Sequence, residues 1–256
     1  MAGAIIDGIL TTSILKASQL SLYDPSEEKC SFFASKGVCI AKSNIELAAK
    51  DDVLVIAVKP QVIDAVLNEL KGNIKSKCIV SIAAGISTEH IRSVIGEDIP
   101  VVRVLPNTPM LVLEGMTIIA EASNVPEDVF EFIMNIFKAA GDVMVLPEDK
   151  INEAIPLSSS SPAFFFRMLD SMAQTGVKSG IEYKDALRLA AVAMLGSARY
   201  VIESGKMPEE LIKQVSSPGG TTVAALSAFD DFSYETFMQE VSDRCIRRAY
   251  ELGNSD

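Results

Sequence analysis

The sequence changes its hydrophobic periodicity once, close to Pro147, and this change constrains the fold more than any other feature. Before it, short apolar segments of strand length alternate with segments of helical spacing, whereas after it only helical spacing remains. Strands that alternate with helices produce a largely parallel sheet through right-handed crossovers. We therefore predict an α/β domain over residues 1–148 and an all-α domain over residues 149–256.

The predicted strands are rich in Val and Ile, as expected for strands that are buried on both faces of a parallel sheet. They cover residues 20–23, 53–58, 78–82, 101–105, 116–120 and 143–146. Helices are predicted over residues 2–10, 25–34, 60–70, 88–95, 126–139, 161–178, 185–204, 208–215, 221–229 and 234–252. The later helices are apolar on more than one face, so they must be buried in this chain or against another copy.

Composition excludes several classes of function. The net charge of −11 argues against a nucleic-acid partner, which needs a basic face, and against a membrane-surface role. No apolar run reaches the ~18–20 residues that span a bilayer. One His, His90, and four scattered Cys without a C-x-x-C pair argue against a Ser-His-Asp hydrolase and against a metal site. We predict a cytoplasmic protein with free, buried thiols.

The strongest local signal is a glycine-rich turn between two predicted helices. Its sequence is Ser217-Pro218-Gly219-Gly220-Thr221-Thr222. Adjacent glycines permit backbone conformations that other residues avoid, and the N–H groups that follow lie at a helix N-terminus, where anions bind. The turn predicts a carboxylate site; the alternative is an ordinary helix–helix connection.

Polar residues follow three predicted strands at their carboxyl ends, where ligands bind α/β sheets. Lys59 lies in the run Ala57-Val58-Lys59-Pro60, and Asn107 lies in a loop held by two prolines. Asp24 occupies the position that binds the adenosine ribose in dinucleotide folds, where a carboxylate favours NAD, whereas Ser26 is suited to a 2′-phosphate. The alternatives are that Lys59 is an ordinary solvated side chain, that the loop of Asn107 is only a rigid turn, and that Asp24 lies in a turn that ends a strand.

These motifs, in this order, resemble the pyrroline-5-carboxylate reductase family over essentially the whole chain. The resemblance rests on AVKP at residues 57–60, PNTP at residues 106–109, a serine segment ending in Pro-Ala at residues 157–163, and SPGGTT at residues 217–222. It implies a Rossmann domain followed by a helical domain that forms a homodimer and often a decamer. The implied reaction is NADPH- or NADH-dependent reduction of 1-pyrroline-5-carboxylate to L-proline.

The resemblance also implies roles for single residues. Thr222 is the implied catalytic residue, because it reaches the ring nitrogen. The substrate carboxylate is held by Ser217, Gly219, Gly220, Thr221 and Thr222. The NADP or NAD cofactor is bound by Met1, Ala2, Asp24, Ser26, Ala57, Lys59, Pro60, Ala84, Gly85 and Asn107. Of these, Met1 and Ala2 correspond to the end of the family's glycine loop, and Asn107, Ala84 and Gly85 lie near the nicotinamide ribose.

The chain departs from the family pattern in two places. It opens on a helix pattern, so we expect the family's first strand and most of the glycine loop to be absent from it. Ser159 and Ser161 stand where the family has two glycines, and their side chains are expected to crowd the site or to hydrogen-bond into it.

Two other interpretations stay open. The chain is alternatively a truncated or non-catalytic homologue that keeps the helical dimer. The other hypothesis is a β-hydroxyacid-type Rossmann dehydrogenase. Its chemistry favours a catalytic Lys on the interdomain helix, and residues 161–174 contain no Lys, which argues against it.

Overall fold

The computed structural model describes residues 1–74 and 78–253, which fall into two compact units. The first unit comprises Met1–Pro162 together with the chain from Arg244 onward, and the second comprises Ala163–Asp243. The predicted domains, 1–148 and 149–256, follow secondary structure, whereas these units follow spatial proximity. The domain division stays a prediction.

The first unit contains a mixture of strands and helices. Its elements are α1 (Ala2–Thr12), β1 (Ser21–Leu22), α2 (Glu27–Ser35), β2 (Cys39–Ile40), α3 (Asn44–Lys50), β3 (Val53–Ile56), α4 (Ile63–Leu70), β4 (Cys78–Ser81), α5 (Thr88–Ile95), β5 (Val101–Leu105), β6 (Gly115–Ala120), α6 (Glu127–Lys138), β7 (Gly141–Leu146) and α7 (Ile151–Ala154). Short 3-10 turns lie at Ala17–Gln19, Pro60–Val62, Thr108–Val112 and Glu148–Lys150.

The remaining elements are all helices. They are α8 (Ser161–Lys178), α9 (Tyr183–Ser204), α10 (Pro208–Val215), α11 (Thr221–Asp231) and α12 (Tyr234–Gly253). The first unit takes in the part of α12 from Arg244 onward. These bounds confirm the predicted switch to helices. The short elements β2, α3 and α7 were not predicted, because they are too brief to show a period.

The main sheet has five strands in the order β3-β4-β5-β6-β7. Three of its four pairings are parallel, and β5 pairs antiparallel with β6, with Val104 opposite Ile119. The prediction of a largely parallel sheet is confirmed except at this pair. Only residues 106–114 connect β5 to β6, which is too short for a parallel crossover of a dozen or more residues. Strands β1 and β2 form a separate parallel pair.

Helices cover both faces of the main sheet. On one face, α1 and α6 pack against Val102 and Val104 of β5. On the other face, α3, α4 and α5 pack against Val101, and α7 with Ala249 of α12 packs near Leu105. This three-layer arrangement is the predicted Rossmann-like architecture, and it places the carboxyl ends of β3, β4 and β5 at one edge.

The second unit leaves large apolar side chains exposed. Leu189, Val192 and Ile202 of α9 are 64%, 61% and 81% exposed, and Phe232 is 84% exposed. Exposed apolar surface of this extent is typical of an interaction face. Within residues 1–74 and 78–253, no helix has the length and apolar composition required to cross a membrane.

Candidate functional site

The glycine-rich turn lies where the sequence places it, between α10 and α11. The Gly220 N–H donates to the Ser217 carbonyl at 2.9 Å, which closes the turn. Gly220 is the N-cap of α11, and no side chain caps this helix. The first turn of α11 also contains no acidic residue.

The two glycines are required for different reasons, which corrects the expectation that both need special backbone angles. Gly219 has φ +71°, in the left-handed region that favours glycine. Gly220 has φ −78° and ψ 167°, which any residue adopts. A Cβ on Gly220 would lie 2.7 Å from Ser217 Oγ and 3.0 Å from the Ser217 carbonyl oxygen, so this position is restricted by space.

The open start of α11 is suited to a carboxylate. The N–H groups of the first helical turn have no intrahelical partners, and the helix dipole places partial positive charge there. Each charge-assisted hydrogen bond to a carboxylate contributes about 1.5–3 kcal/mol. Ser217 and Thr221 are exposed and Thr222 is half-buried, so the turn is accessible within its own unit.

The predicted cofactor residues of three strands come together at one sheet edge. Ala57, Lys59 and Pro60 follow β3, and Ala84 with Gly85 follows β4. Since β3, β4 and β5 are parallel neighbours, their carboxyl ends lie side by side. This edge is where α/β sheets bind ligands.

Asn107 follows β5 at the same edge, but its side chain is bonded to protein. Its Oδ1 accepts from the Met116 N–H at 2.9 Å, and its Nδ2 donates to the Ser158 carbonyl at 3.3 Å. The side chain is buried. Its described contacts therefore join β6 to the serine segment, and its role near the nicotinamide ribose stays a prediction.

Asp24 is already engaged by its own neighbours. Its Oδ1 accepts from the Ser26 N–H at 2.9 Å, and its Oδ2 lies 3.1 Å from Lys29 Nζ. Ser26 Oγ accepts from the Lys29 N–H and so caps α2. The Lys29 ammonium offsets the carboxylate that was expected to disfavour a 2′-phosphate.

Met1 and Ala2 begin α1, whose N-terminus resembles that of α11. No side chain caps α1, and its first turn has no acidic residue. The pyrophosphate of a dinucleotide carries the charge that such a terminus stabilises. Together with the strand-end edge, this terminus fits the NADP or NAD cofactor that the sequence implies.

In the serine segment, Ser161 is one of the two residues expected to crowd the site or to hydrogen-bond into it. Ser161 is buried, and its Oγ donates to the carbonyls of Leu157 and Ser158 at 3.0 and 3.1 Å. This hydroxyl therefore bonds to its own turn. Ser160 Oγ accepts from Cys245 Sγ at 3.4 Å.

The four cysteines are free, as predicted. However, only Cys78 is buried, and Cys39 is exposed, because β2 lies in the small two-stranded sheet and both of its residues face solvent. The expectation that all four thiols are buried is wrong. Burial raises the pKa of the Cys78 thiol to about 12.

The structure also contains a buried cation that was not predicted from the sequence. Arg103 lies in the middle of β5 and is 4% exposed. Its Nη2 donates to Asn152 Oδ1 at 2.6 Å. An arginine flanked on both sides by valines, in a strand predicted to be fully buried, was the available signal.

Comparisons with known proteins agree with the sequence motifs. A family model described as pyrroline-5-carboxylate reductase dimerisation matches residues 148–252. A second, described as NADP oxidoreductase coenzyme F420-dependent, matches residues 1–85. The chain is 33% identical to pyrroline-5-carboxylate reductase of Escherichia coli K12, over 100% of this chain and 96% of the relative. It is 37% identical to that of Haemophilus influenzae, over 98% and 94%.

Solved structures give the same result. Plasmodium falciparum pyrroline carboxylate reductase with NADP bound superposes with a TM-score of 0.91 at 28% identity, covering 98% of this chain and 94% of that one. The Coxiella burnetii pyrroline-5-carboxylate reductase gives 0.90 at 29%, covering 99% and 95%. Because relatives more than 30% identical match over nearly the whole of both chains, this chain belongs to the pyrroline-5-carboxylate reductase family of oxidoreductases.

Proposed function

We propose that this chain carries out the NADPH- or NADH-dependent reduction of 1-pyrroline-5-carboxylate to L-proline, with the turn at residues 217–222 holding the substrate carboxylate. This proposal rests mainly on the N-terminus of α11, which has no side-chain cap and no acidic residue in its first turn. It supports binding through Ser217, Gly219, Gly220, Thr221 and Thr222. Family membership favours this reaction over that of a β-hydroxyacid-type dehydrogenase.

The chemistry needs positioning more than a strong acid. A cyclic imine is electrophilic, and more so when its nitrogen is protonated. NADPH or NADH, when bound, would supply the hydride for the imine carbon, and the proton already on the imine nitrogen would become the N–H of the secondary amine. Thr222 is the proposed catalytic residue: it lies in the first turn of α11, and we assign its hydroxyl to orienting the ring nitrogen of a substrate whose carboxylate the same turn would hold.

The proposed cofactor contacts are distributed over one unit. Met1 and Ala2 at the start of α1 hold the pyrophosphate, and Asp24 with Ser26 lies near the adenosine ribose. The remainder of the cofactor is held by residues that follow the strand ends, namely Ala57, Lys59, Pro60, Ala84, Gly85 and Asn107. NADP is supported by the relative solved with NADP bound and by the Lys29 ammonium beside Asp24.

We also infer a homodimer, which further assembles into a decamer, acting in the cytoplasm. The exposed apolar residues of α9 support self-association, because a second copy would bury them. The match of residues 148–252 to a dimerisation family supports the same state. Four free cysteines support a reducing compartment.

The direct test is NADPH oxidation in the presence of pyrroline-5-carboxylate. We expect turnover by the wild type, and a drop in kcat of about tenfold or more for Thr222→Val, which loses the hydroxyl. Thr222→Ser, which keeps it, should retain most activity. Thr12→Val, which removes a hydroxyl that bonds only within α1, is the control.

A wild type that binds neither NADPH nor L-proline would support the non-catalytic homologue instead. Equal activity of Thr222→Val and the wild type would remove Thr222 from the mechanism. Size-exclusion chromatography with light scattering tests the oligomer, and a monomer would contradict the proposed assembly.

A further inference from the structure

Arg103 occupies a core position of the main sheet. Its strand neighbours two residues away, Val101 and Leu105, lie in the apolar clusters on that face. A buried guanidinium is destabilising unless it is paired and hydrogen-bonded. Burial lowers the pKa of Arg103, and the negative charges of Glu148 and Glu153 oppose that shift. The direct partner of the guanidinium is Asn152, whose Oδ1 accepts from Arg103 Nη2 at 2.6 Å, next to Glu153 in the chain.

Each of these carboxylates also holds a different segment of the first unit. Glu148 accepts hydrogen bonds from the N–H and the hydroxyl of Thr88, the first residue of α5. Glu153 Oε1 accepts from the Tyr250 hydroxyl at 2.7 Å, in the last turns of α12. Among the described residues, Glu153 Oε2 is buried and has no hydrogen-bond partner. We call Arg103, Glu148, Asn152, Glu153 and Tyr250 the Arg103 cluster.

One anchored segment follows the Ala84–Gly85 turn in the chain, and the other contacts the turn in space. Thr88 follows this turn by three residues, and the end of α12 touches it directly. Gly85 has φ +82°, and a Cβ there would lie 2.5 Å from the Ala249 carbonyl oxygen and 3.2 Å from the Gly253 nitrogen. The turn and the helix end are therefore in backbone-to-backbone contact, and a displacement of one displaces the other.

We propose that the Arg103 cluster positions the Ala84–Gly85 turn for the cofactor, with Glu148 and Tyr250 as positioning residues: Glu148 holds the segment that follows the turn, and Tyr250 holds the helix end that contacts it. This inference rests on the proposed function, which assigns Ala84 and Gly85 to the cofactor. The cluster does not touch the reacting atoms. It acts by keeping the turn in one conformation before the cofactor binds, so that binding does not have to order it.

A purely stabilising role is the competing explanation, and it is weaker on physical grounds. Apolar residues of similar volume usually stabilise a core as well as a buried charge does, and of the cluster only Arg103 and Asn152 are buried. Hydrogen bonds to charged groups have fixed directions, so they hold a backbone segment more narrowly than apolar contacts. The cluster directs such bonds to the segment that follows the turn and to the helix end that contacts it.

The test uses Tyr250→Phe in the full chain, which removes the hydroxyl bonded to Glu153 and keeps the ring. Tyr183→Phe is the matched control, because Tyr183 donates a similar bond to Asp170 at 2.8 Å in the other unit. The measurements are amide hydrogen exchange over residues 82–88 without cofactor, the Kd for NADPH by fluorescence titration, and the split between KM and kcat.

We expect exchange over residues 82–88 to become about tenfold faster in Tyr250→Phe, and the Kd and KM for NADPH to rise about tenfold. The kcat at saturating NADPH should change little, and Tyr183→Phe should match the wild type. Faster exchange throughout the first unit with unchanged NADPH affinity would overturn the proposal in favour of a stabilising role.

Thr88 provides a second, independent variant in the segment that follows the turn. Thr88→Val loses the hydroxyl bond to Glu148, and Thr88→Ser keeps it. We expect the first to reproduce the Tyr250→Phe effects and the second to restore wild-type exchange and affinity. Identical behaviour of Val and Ser at this position would also overturn the proposal, even if Tyr250→Phe fails to fold.

The proposed cofactor assignment and the positioning role of the Arg103 cluster can be disproved separately. A wild type without NADPH binding, in which Tyr250→Phe still loosens residues 82–88 selectively, would disprove the proposed cofactor assignment while leaving the anchoring of the turn intact. A wild type that binds NADPH and reduces the imine, with a turn that no variant loosens, would disprove the positioning role alone.

Discussion

The N-termini of α5 and α11 differ in how the protein itself caps them. At α5, Ser87 Oγ accepts from the His90 N–H, and the Glu148 carboxylate accepts from the Thr88 N–H at 2.7 Å. At α11, the N-cap is Gly220, which has no side chain. Both helices offer the same partial positive charge. The protein supplies its own anion to the first and leaves the second open to an external one.

The same contrast extends to the regions around them. The sheet unit buries Arg103, Asn107 and Cys78 and bonds the first two internally. The helical unit exposes both its glycine turn and apolar side chains such as Ile202. The buried polar side chains of Arg103 and Asn107 therefore serve the structure of the sheet unit, whereas the polar groups of the turn at residues 217–222 are available to a ligand.

Closing the open terminus should have the largest effect. Gly220→Val places a Cβ within 2.7 Å of Ser217 Oγ and distorts the carboxylate site. Loss of two charge-assisted hydrogen bonds, at about 1.5–3 kcal/mol each, weakens L-proline as a product inhibitor by more than about 100-fold. Circular dichroism should show an unchanged helical content. An unchanged inhibition constant would refute the site.

The burial of the Cys78 thiol in the sheet unit predicts that the free energy of unfolding depends on pH. The folded-state pKa of Cys78 is raised to about 12, so its contribution to stability is complete below its ordinary value of 9.0 and is lost as the pH rises from there. Relative to Cys78→Ala, the wild-type free energy of unfolding should fall by ~1.4 kcal/mol per pH unit above that value. Urea titrations at several pH values measure this.

Cys39→Ala is the control for that slope, because the Cys39 thiol is exposed. Its unfolding free energy should follow the wild type at every pH. If the Cys78→Ala and wild-type curves ran parallel, the thiol would not be in a dry environment.

Removing the Glu148 carboxylate from the N-terminus of α5 should destabilise the sheet unit. Glu148→Ala removes the carboxylate from the start of α5 and from the surroundings of Arg103, and should lower the free energy of unfolding by about 1–3 kcal/mol. Glu89→Ala also removes a carboxylate from the first turn of α5, but an exposed one, and should lose only about 0.3–1 kcal/mol. Equal losses would mean that Glu148 acts through the helix dipole alone.

The smallest expected effect separates backbone strain from ligand binding. Gly219→Ala and Gly72→Ala each place a side chain at a positive φ with no atom within 4 Å, so each should lose about 1 kcal/mol. Only Gly219→Ala should also weaken L-proline, by about fivefold, since that strain opens the turn. A similar loss of proline affinity in Gly72→Ala would show that the effect is not local.

Much of the fold and the main site motif follow from local pattern. The switch in periodicity near Pro147, the valine-rich strands and the SPGGTT turn are all readable without tertiary information. The antiparallel β6 was not predicted, because strand direction depends on the route of the connection. The bonds of the Asn107 side chain were missed as well, since its partners Met116 and Ser158 lie far along the chain.

By itself, the sequence determined the two-part architecture, the family and the turn that starts α11, because each depends on residues close together in the chain. The tertiary structure decided which helix N-terminus is already filled, why Gly220 lacks room for a side chain, and how Arg103 is compensated. Those outcomes depend on distances between segments up to about 150 residues apart, such as β5 and the end of α12, and only packing brings such segments together.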